Sequence, residues 1–251
     1  MSNKRFFTVI IGTELLNGRR EDAHFKRVNS LLLDRNWEHC GSFVIEDRVD
    51  LIRSVFELIK DTKDSVMFCY GGIGATPDDY TREVAGSAFC DGEMEQHSGA
   101  KKLIEDRFGE NAYPNRINMA YLPQGADLIP NPINQVPGFS LESRFFFMPG
   151  FPEMSSPMSE WVVEKYFPRG VEKFAFTVSL DVSEERFMDF MRRVPQELEL
   201  SSLPIMKNFK DGKYTPAVTL SLRGYEQELL EKWANELKIY IEKNGWEYKI
   251  D

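Results

Sequence analysis

Three glycines in four residues follow a short apolar run in Gly71-Gly72-Ile73-Gly74-Ala75-Thr76-Pro77-Asp78-Asp79-Tyr80-Thr81. Lacking a Cβ, glycines let the backbone turn tightly and bring its N–H groups against a ligand. A helix opening after such a turn adds unpaired N–H groups and the positive end of its dipole. Gly71, Gly72, Gly74, Thr76 and Thr81 are therefore candidate phosphate-binding residues. The segment is not a Walker loop, because no Gly-Lys-Ser/Thr follows, and the glycine spacing is not the dinucleotide fingerprint. A plain structural account fits the same residues: Thr76 as N-cap, Pro77 at the first helical position, Asp79 as the capping-box acid. Three glycines exceed what one tight turn requires. Two carboxylates beside a phosphate would also repel it unless a divalent cation lies between them. A hard cation such as Mg²⁺ takes a few carboxylates together with phosphates and water, which makes Asp78 and Asp79 the candidate metal ligands.

Two further clusters could share this site. Gly12 to Asp22 follows an apolar run and contains Thr13 and the acids Glu14 and Asp22, each of which also reads as a solvated loop charge or helix cap. Asp47, after a second such run, reads by itself as a helix-start acid. Asn131, Pro137 and Gly138, and then Pro149 and Gly150, set rigid turns beyond short apolar runs. Such turns wall a pocket or are simply turns.

The elements that must position these residues are legible in the pattern. Continuous apolar, β-branched runs at 6–11 and 65–70, with a shorter one at 42–45, read as buried strands. Amphipathic helices are expected near 25–32, with Phe25, Val28, Leu31 and Leu32 on one face, and over 49–60. A third helix is expected to start near Pro77. Strands alternating with such helices imply a parallel sheet covered on both faces, with ligands outside the strands' carboxyl ends. Residues 93–108 read as one helix stopped by Gly109, and 115–119 as its continuation. Short strands flank the two proline-rich turns, 145–148 is a further buried strand, and 153–166 is helical. Pro168 and Gly170 mark a boundary. The expected domains are an α/β domain over 1–168 and a small α+β domain over 169–251. The latter reads as strand 174–180, helix 184–194, a short strand or loop, strand 217–222, helix 226–243 and strand 246–250, a split βαβ arrangement.

Composition bounds the partners. The 251-residue chain carries a formal net charge of −9, which argues against nucleic acid and against an anionic membrane surface. No apolar run is long enough for a membrane helix, and the N-terminus enters a strand pattern without a signal-peptide core. A cytoplasmic location is expected. Cys40, Cys69 and Cys90 are widely spaced, and His24, His39 and His97 lack metal-ligand spacing, so all six read as structural.

The segments 12–18, 71–81, 131–139 and 149–154, taken in that order, resemble the N-terminal part of the competence-damage-inducible protein A family. That family lies within the molybdopterin-binding (MoaB/Mog-like) superfamily, and the resemblance covers about the first 165 residues. It implies a three-layer α/β/α sandwich and either of two activities, the further alternative being a non-catalytic nucleotide-binding module. Mog-type members adenylate molybdopterin; the competence-damage branch is associated with metal-dependent hydrolysis of nucleotide pyrophosphates such as ADP-ribose. The segments 14–18 and 149–154 place the chain nearer the second. By position the resemblance implies catalytic roles for Asp79, Asp47 and Glu14, and pocket positions for Thr13, Asn131, Pro137, Gly138, Pro149 and Gly150. It also implies a divalent metal (Mg²⁺ or Co²⁺), a small nucleotide or pterin phosphate as ligand, and a homo-oligomer. The chain departs from the pattern at Ala75 (proline or serine is usual), His24 (asparagine) and Asn134 (glycine). The amidase domain that often follows in this family has no counterpart in the sequence, so deamidation of nicotinamide mononucleotide is not expected.

Overall fold

The computed structural model describes residues 4–210 and 212–250. Its first elements are β1 (Arg5–Ile11), α1 (Thr13–Leu16), α2 (His24–Leu33), β2 (His39–Ile45), α3 (Val49–Asp61), β3 (Ser65–Tyr70) and α4 (Thr81–Phe89). There follow β4 (Met94–Gln96), α5 (Ser98–Phe108), β5 (Tyr121–Pro123), β6 (Asp127–Ile129), β7 (Gly138–Leu141), β8 (Phe145–Met148) and α6 (Pro152–Tyr166). The chain divides into two compact units, one ending at Gly170 and the other beginning at Val171.

The first unit is built on a six-stranded sheet in the order β2-β1-β3-β8-β7-β6, parallel from β2 to β8 and antiparallel at β7 and β6. The period-two geometry of a strand sends alternate side chains to opposite faces, so β1 feeds two cores. Phe7, Val9 and Ile11 join Ile52, Phe56 and Ile59 of α3 on one face, and Phe6 and Ile10 join Val28, Leu32, Met158 and Val162 on the other. With helices on both faces, the central strands are continuously buried: all six residues of β3 and all four of β8, of which only Ser65 is polar. Pairings Ile11↔Ile45, Ile10↔Tyr70 and Tyr70↔Met148 bring four parallel strands to an end along one edge. The segments beginning at Gly12, Glu46, Gly71 and Pro149 therefore leave the sheet side by side.

Several elements differ from the sequence reading. Residues 13–16 form a helical turn instead of a loop, and Phe25 is exposed while His24, Val28 and Leu32 are buried. Residues 93–108 split into β4 and α5, because β4 pairs antiparallel with β5 and the His97 side chain then caps α5 by accepting the Ala100 N–H. Residues 116–120 form a 3₁₀ turn.

The second unit runs β9 (Phe174–Leu180), a 3₁₀ turn at Glu184–Phe187, α7 (Met188–Met191), β10 (Glu199–Lys210), β11 (Lys213–Gly224), α8 (Gln227–Lys243) and β12 (Tyr248–Ile250). Its antiparallel sheet has the order β10-β11-β9-β12, the βαββαβ arrangement of a split βαβ unit. Leu230, Leu237 and Ile241 of α8 close its core over Val178, Leu220 and Leu222.

Candidate functional site

The end of β3 is set by two close approaches. Gly71 has φ +101, and a Cβ there would lie 2.2 Å from the Ile11 carbonyl oxygen; Gly72 has φ +66, and a Cβ would lie 2.2 Å from the Thr81 hydroxyl. Thr81 is fully buried, donates its hydroxyl to the Gly71 carbonyl at 2.9 Å, and gives its N–H to the Gly72 carbonyl at 3.0 Å. Its predicted role in touching phosphate is corrected: it props the loop from behind.

Arg82 acts on the next two residues. One guanidinium nitrogen donates to the carbonyls of both Ile73 and Gly74. Burial lowers its pKa, while Asp79 and Glu83 act in the opposite direction. With those carbonyls engaged, the N–H groups of Gly72, Ile73, Gly74 and Ala75 have no acceptor among the described residues. All four residues line a cleft. Successive free N–H groups on a turn of this kind form an anion-binding nest. The expected helix start near Pro77 is corrected, because α4 begins at Thr81. Thr76 to Asp79 form a turn closed by the Asp79 N–H to the Thr76 carbonyl at 3.0 Å. Half of the capping box survives within it: Asp79 Oδ2 accepts the Thr76 N–H at 2.8 Å and also the Thr76 hydroxyl.

Asp47 is fixed in a comparable way by the short helix after β1. Its Oδ2 accepts the Thr13 N–H at 2.7 Å and the Thr13 hydroxyl at 2.8 Å, and its own N–H returns to that hydroxyl at 3.2 Å. Glu14 lies 3.6 Å from Arg20, whose guanidinium stacks over the Phe151 ring.

The cleft has a volume of about 520 Å³. Along its walls lie Glu14, Asp47, Asp79, Thr76, Gly71, Gly72, Gly74, Pro137, Pro149 and Gly150 of the predicted set. Arg20 and Arg116 supply cations that the sequence reading did not single out. Arg116 lies over the Phe108 ring and bonds the Asn111 carbonyl, so only the fold brings it to the loop. Thr13 stands behind Asp47 as its anchor. Gly138 and Asn131 are buried and outside the lining: a Cβ at Gly138 would meet the Phe147 carbonyl at 2.4 Å, and Asn131 accepts the Ile133 N–H within its own turn. Gly150 packs against Gly71, where a Cβ would lie 3.2 Å from the Gly71 Cα.

Asp78 is exposed and lines neither this cleft nor its neighbour. Asp78 and Asp79 thus do not converge as a two-acid chelate facing the cleft. Among the described residues no three His, Cys, Asp or Glu side chains gather as a metal cage. A cation held by one or two carboxylates, substrate phosphates and water does fit: Asp79 and Asp47 each spend Oδ2 on the protein and leave Oδ1 without a partner among the described residues.

The glycine loop and the flanking carboxylates thus meet at the strand ends of a largely parallel α/β sheet. Residues 7–169 match the family described as "probable molybdopterin binding domain", and the chain belongs to that family. It is 32% identical over 164 residues to a CinA-like protein of Anaeromyxobacter dehalogenans, covering 61% of this chain and 38% of that one. A protein of Clostridium novyi named for competence-damage induction is 27% identical over 240 residues, 91% of this chain and 57% of that one. The chain thus spans less than two thirds of these curated relatives. The crystal structure of CinA from Thermoplasma acidophilum, whose function is given as unknown, superposes with a TM-score of 0.59 at 24% identity. It covers 64% of this chain and 98% of that one, and the likeness is one of fold. Among the described residues no helix is long and apolar enough to cross a membrane.

Proposed function

We propose that the chain hydrolyses the diphosphate bond of a nucleotide diphosphate of the ADP-ribose class, using a divalent metal. The observation that carries this reading is the run of four unpartnered N–H groups at residues 72–75, lining one cleft with Asp79 and Asp47. Preorganised N–H groups hold the charge of a phosphoryl oxygen without rearranging. Arg116 and Arg20 line the same cleft and add positive charge to it. Asp79 would hold Mg²⁺ or Co²⁺ together with substrate phosphate and water; when bound, the metal would offset charge on the leaving phosphate and lower the pKa of a water. Asp47, aligned by Thr13, accepts the proton of the attacking water. The water oxygen bonds to phosphorus, the bridging P–O bond breaks, and AMP and ribose 5-phosphate leave.

The test is incubation of the full chain with ADP-ribose and Mg²⁺, then Co²⁺, with products separated by chromatography. AMP is expected with wild type and not with Asp79→Ala; intact ADP-ribose with both metals refutes the activity. The family description favours a second reading, a pterin phosphate held on the same loop for adenylation or carriage. That reading predicts a fluorescent pterin co-purifying with the protein and no release of AMP.

A further inference from the structure

The turn from Ala75 to Asp79 has two open sides. One is the cleft already described. The other is a second cleft of about 490 Å³, which shares Ala75, Thr76 and Asp79 with the first and is otherwise separate. The 3₁₀ turn at Arg116–Ala120 stands between them, with Arg116 and Met119 lining the first cleft and Asn118 the second.

The second cleft differs in chemistry. Tyr80, Tyr121, Asn115 and Asn118 line it, and among the described residues none of these four side chains has a hydrogen-bond partner. Its charges are those of Arg82, Asp79 and Glu83, one positive and two negative, and the arginine is engaged with the loop carbonyls. This suits an uncharged planar group better than a second phosphate. Free carboxamides pair with the donor and acceptor edge of a purine, and tyrosine rings stack on its face.

We infer that this second cleft receives the base of the nucleotide whose phosphates lie on the glycine loop. A ligand passing the shared Thr76–Asp79 turn has its diphosphate against residues 72–75 and its base between Tyr121 and the two asparagines. The inference rests on the nucleotide reading above and adds the subsite that reads the base. It gives nucleotide binding a term that inorganic pyrophosphate lacks.

The test is calorimetric binding of ADP and of inorganic pyrophosphate, with Mg²⁺, to the full chain and to Asn118→Ala and Tyr121→Ala. Asn118 and Tyr121 are exposed and outside the first cleft, so both variants are expected to keep the wild-type fold and thermal midpoint. The expected result is about tenfold weaker ADP binding in each variant, with pyrophosphate affinity unchanged. Two results overturn the inference: ADP binding unaltered in both variants, or wild type binding ADP no more tightly than pyrophosphate. If ADP binds and the variants weaken it while ADP-ribose stays intact, the base subsite stands and the hydrolase reading falls. If AMP is released yet both variants behave as wild type, the hydrolase reading stands and the base subsite falls.

Discussion

Replacing Gly71 by alanine tests the geometry at the heart of the site. The residue has φ +101, a conformation that costs an L-residue about 1–2 kcal/mol by the left-handed penalty. The added Cβ would also sit 2.2 Å from the Ile11 carbonyl oxygen and 3.3 Å from its carbon. That neighbour is backbone of β1, held between β2 and β3, so no side chain can swing away to relieve the overlap. Overpacking of this kind costs about 1–3 kcal/mol. Together the two terms give roughly 2–5 kcal/mol, a large share of the roughly 5–15 kcal/mol that stabilises a folded protein. Gly92 provides the control. Its φ is +85, yet a Cβ there meets nothing within 4 Å, so Gly92→Ala carries only the conformational penalty. Urea denaturation of both variants isolates the overlap as their difference, expected at about 1–3 kcal/mol. Equal midpoints at unchanged slope would refute the close approach of β3 to β1 at this turn.

Three further outcomes are expected. Thr13→Val keeps the shape and the backbone donor but removes the hydroxyl that bonds Asp47 Oδ2 at 2.8 Å. Stability should fall by about 1 kcal/mol, and ADP-ribose turnover roughly 10- to 100-fold with KM little changed, read from urea curves and steady-state rates. Arg82→Lys retains the charge but not the guanidinium nitrogen that bridges two carbonyls; about 1–3 kcal/mol of stability and most pyrophosphate affinity should be lost, checked by denaturation and calorimetry. Burial lowers the pKa of His24 and of His39 from the ordinary 6.5, so the unfolded chain binds protons that the folded one refuses. Stability is then complete above about pH 6.5 and declines as pH falls below it. His24→Gln with His39→Gln should flatten the slope of urea stability between about pH 7 and pH 5.5; an unchanged slope refutes the assignment.

Strands were legible where their surroundings are uniform. Residues 6–11 and 65–70 are buried throughout and apolar but for Thr8 and Ser65, because helices cover both faces of the sheet, and that pattern needs no partner to be recognised. β10 lacks such a signal, since most of its residues are exposed and neither face alternates cleanly; its existence follows from pairing with β11, a long-range fact. The start of α4 misled for a different reason. Thr76, Pro77 and Asp79 satisfy the local grammar of a helix N-terminus, and the Thr76 N–H does reach Asp79, but the same bond closes a turn equally well. What decides between them is the Thr81 N–H, which goes back to Gly72 rather than into a helix. The carboxylates and glycines of the site were visible because they sit at strand ends. Arg20, Arg82 and Arg116 were not, because an arginine becomes part of a site only when the fold places it there.

The distinction between a loop nest and a helix N-terminus has a chemical consequence. A helix end offers N–H groups that water can satisfy and that fray with the first turn. In this chain the carbonyls of residues 71–74 are taken by Thr81 and Arg82, while the N–H groups of 72–75, in the cleft wall, have no acceptor among the described residues. Asp47 and Asp79 are likewise oriented by their own neighbours, Thr13 and Thr76, before any ligand arrives. A diphosphate entering the cleft would meet backbone dipoles and two arginines, but also three carboxylates, in a chain of net charge −9. Dipoles alone do not offset that many like charges at close range. The proposed reaction therefore needs a divalent cation between the phosphates and the acids. Neutralising the Asp79 carboxylate with Asp79→Asn should weaken metal-dependent binding while sparing whatever affinity the N–H array supplies without metal.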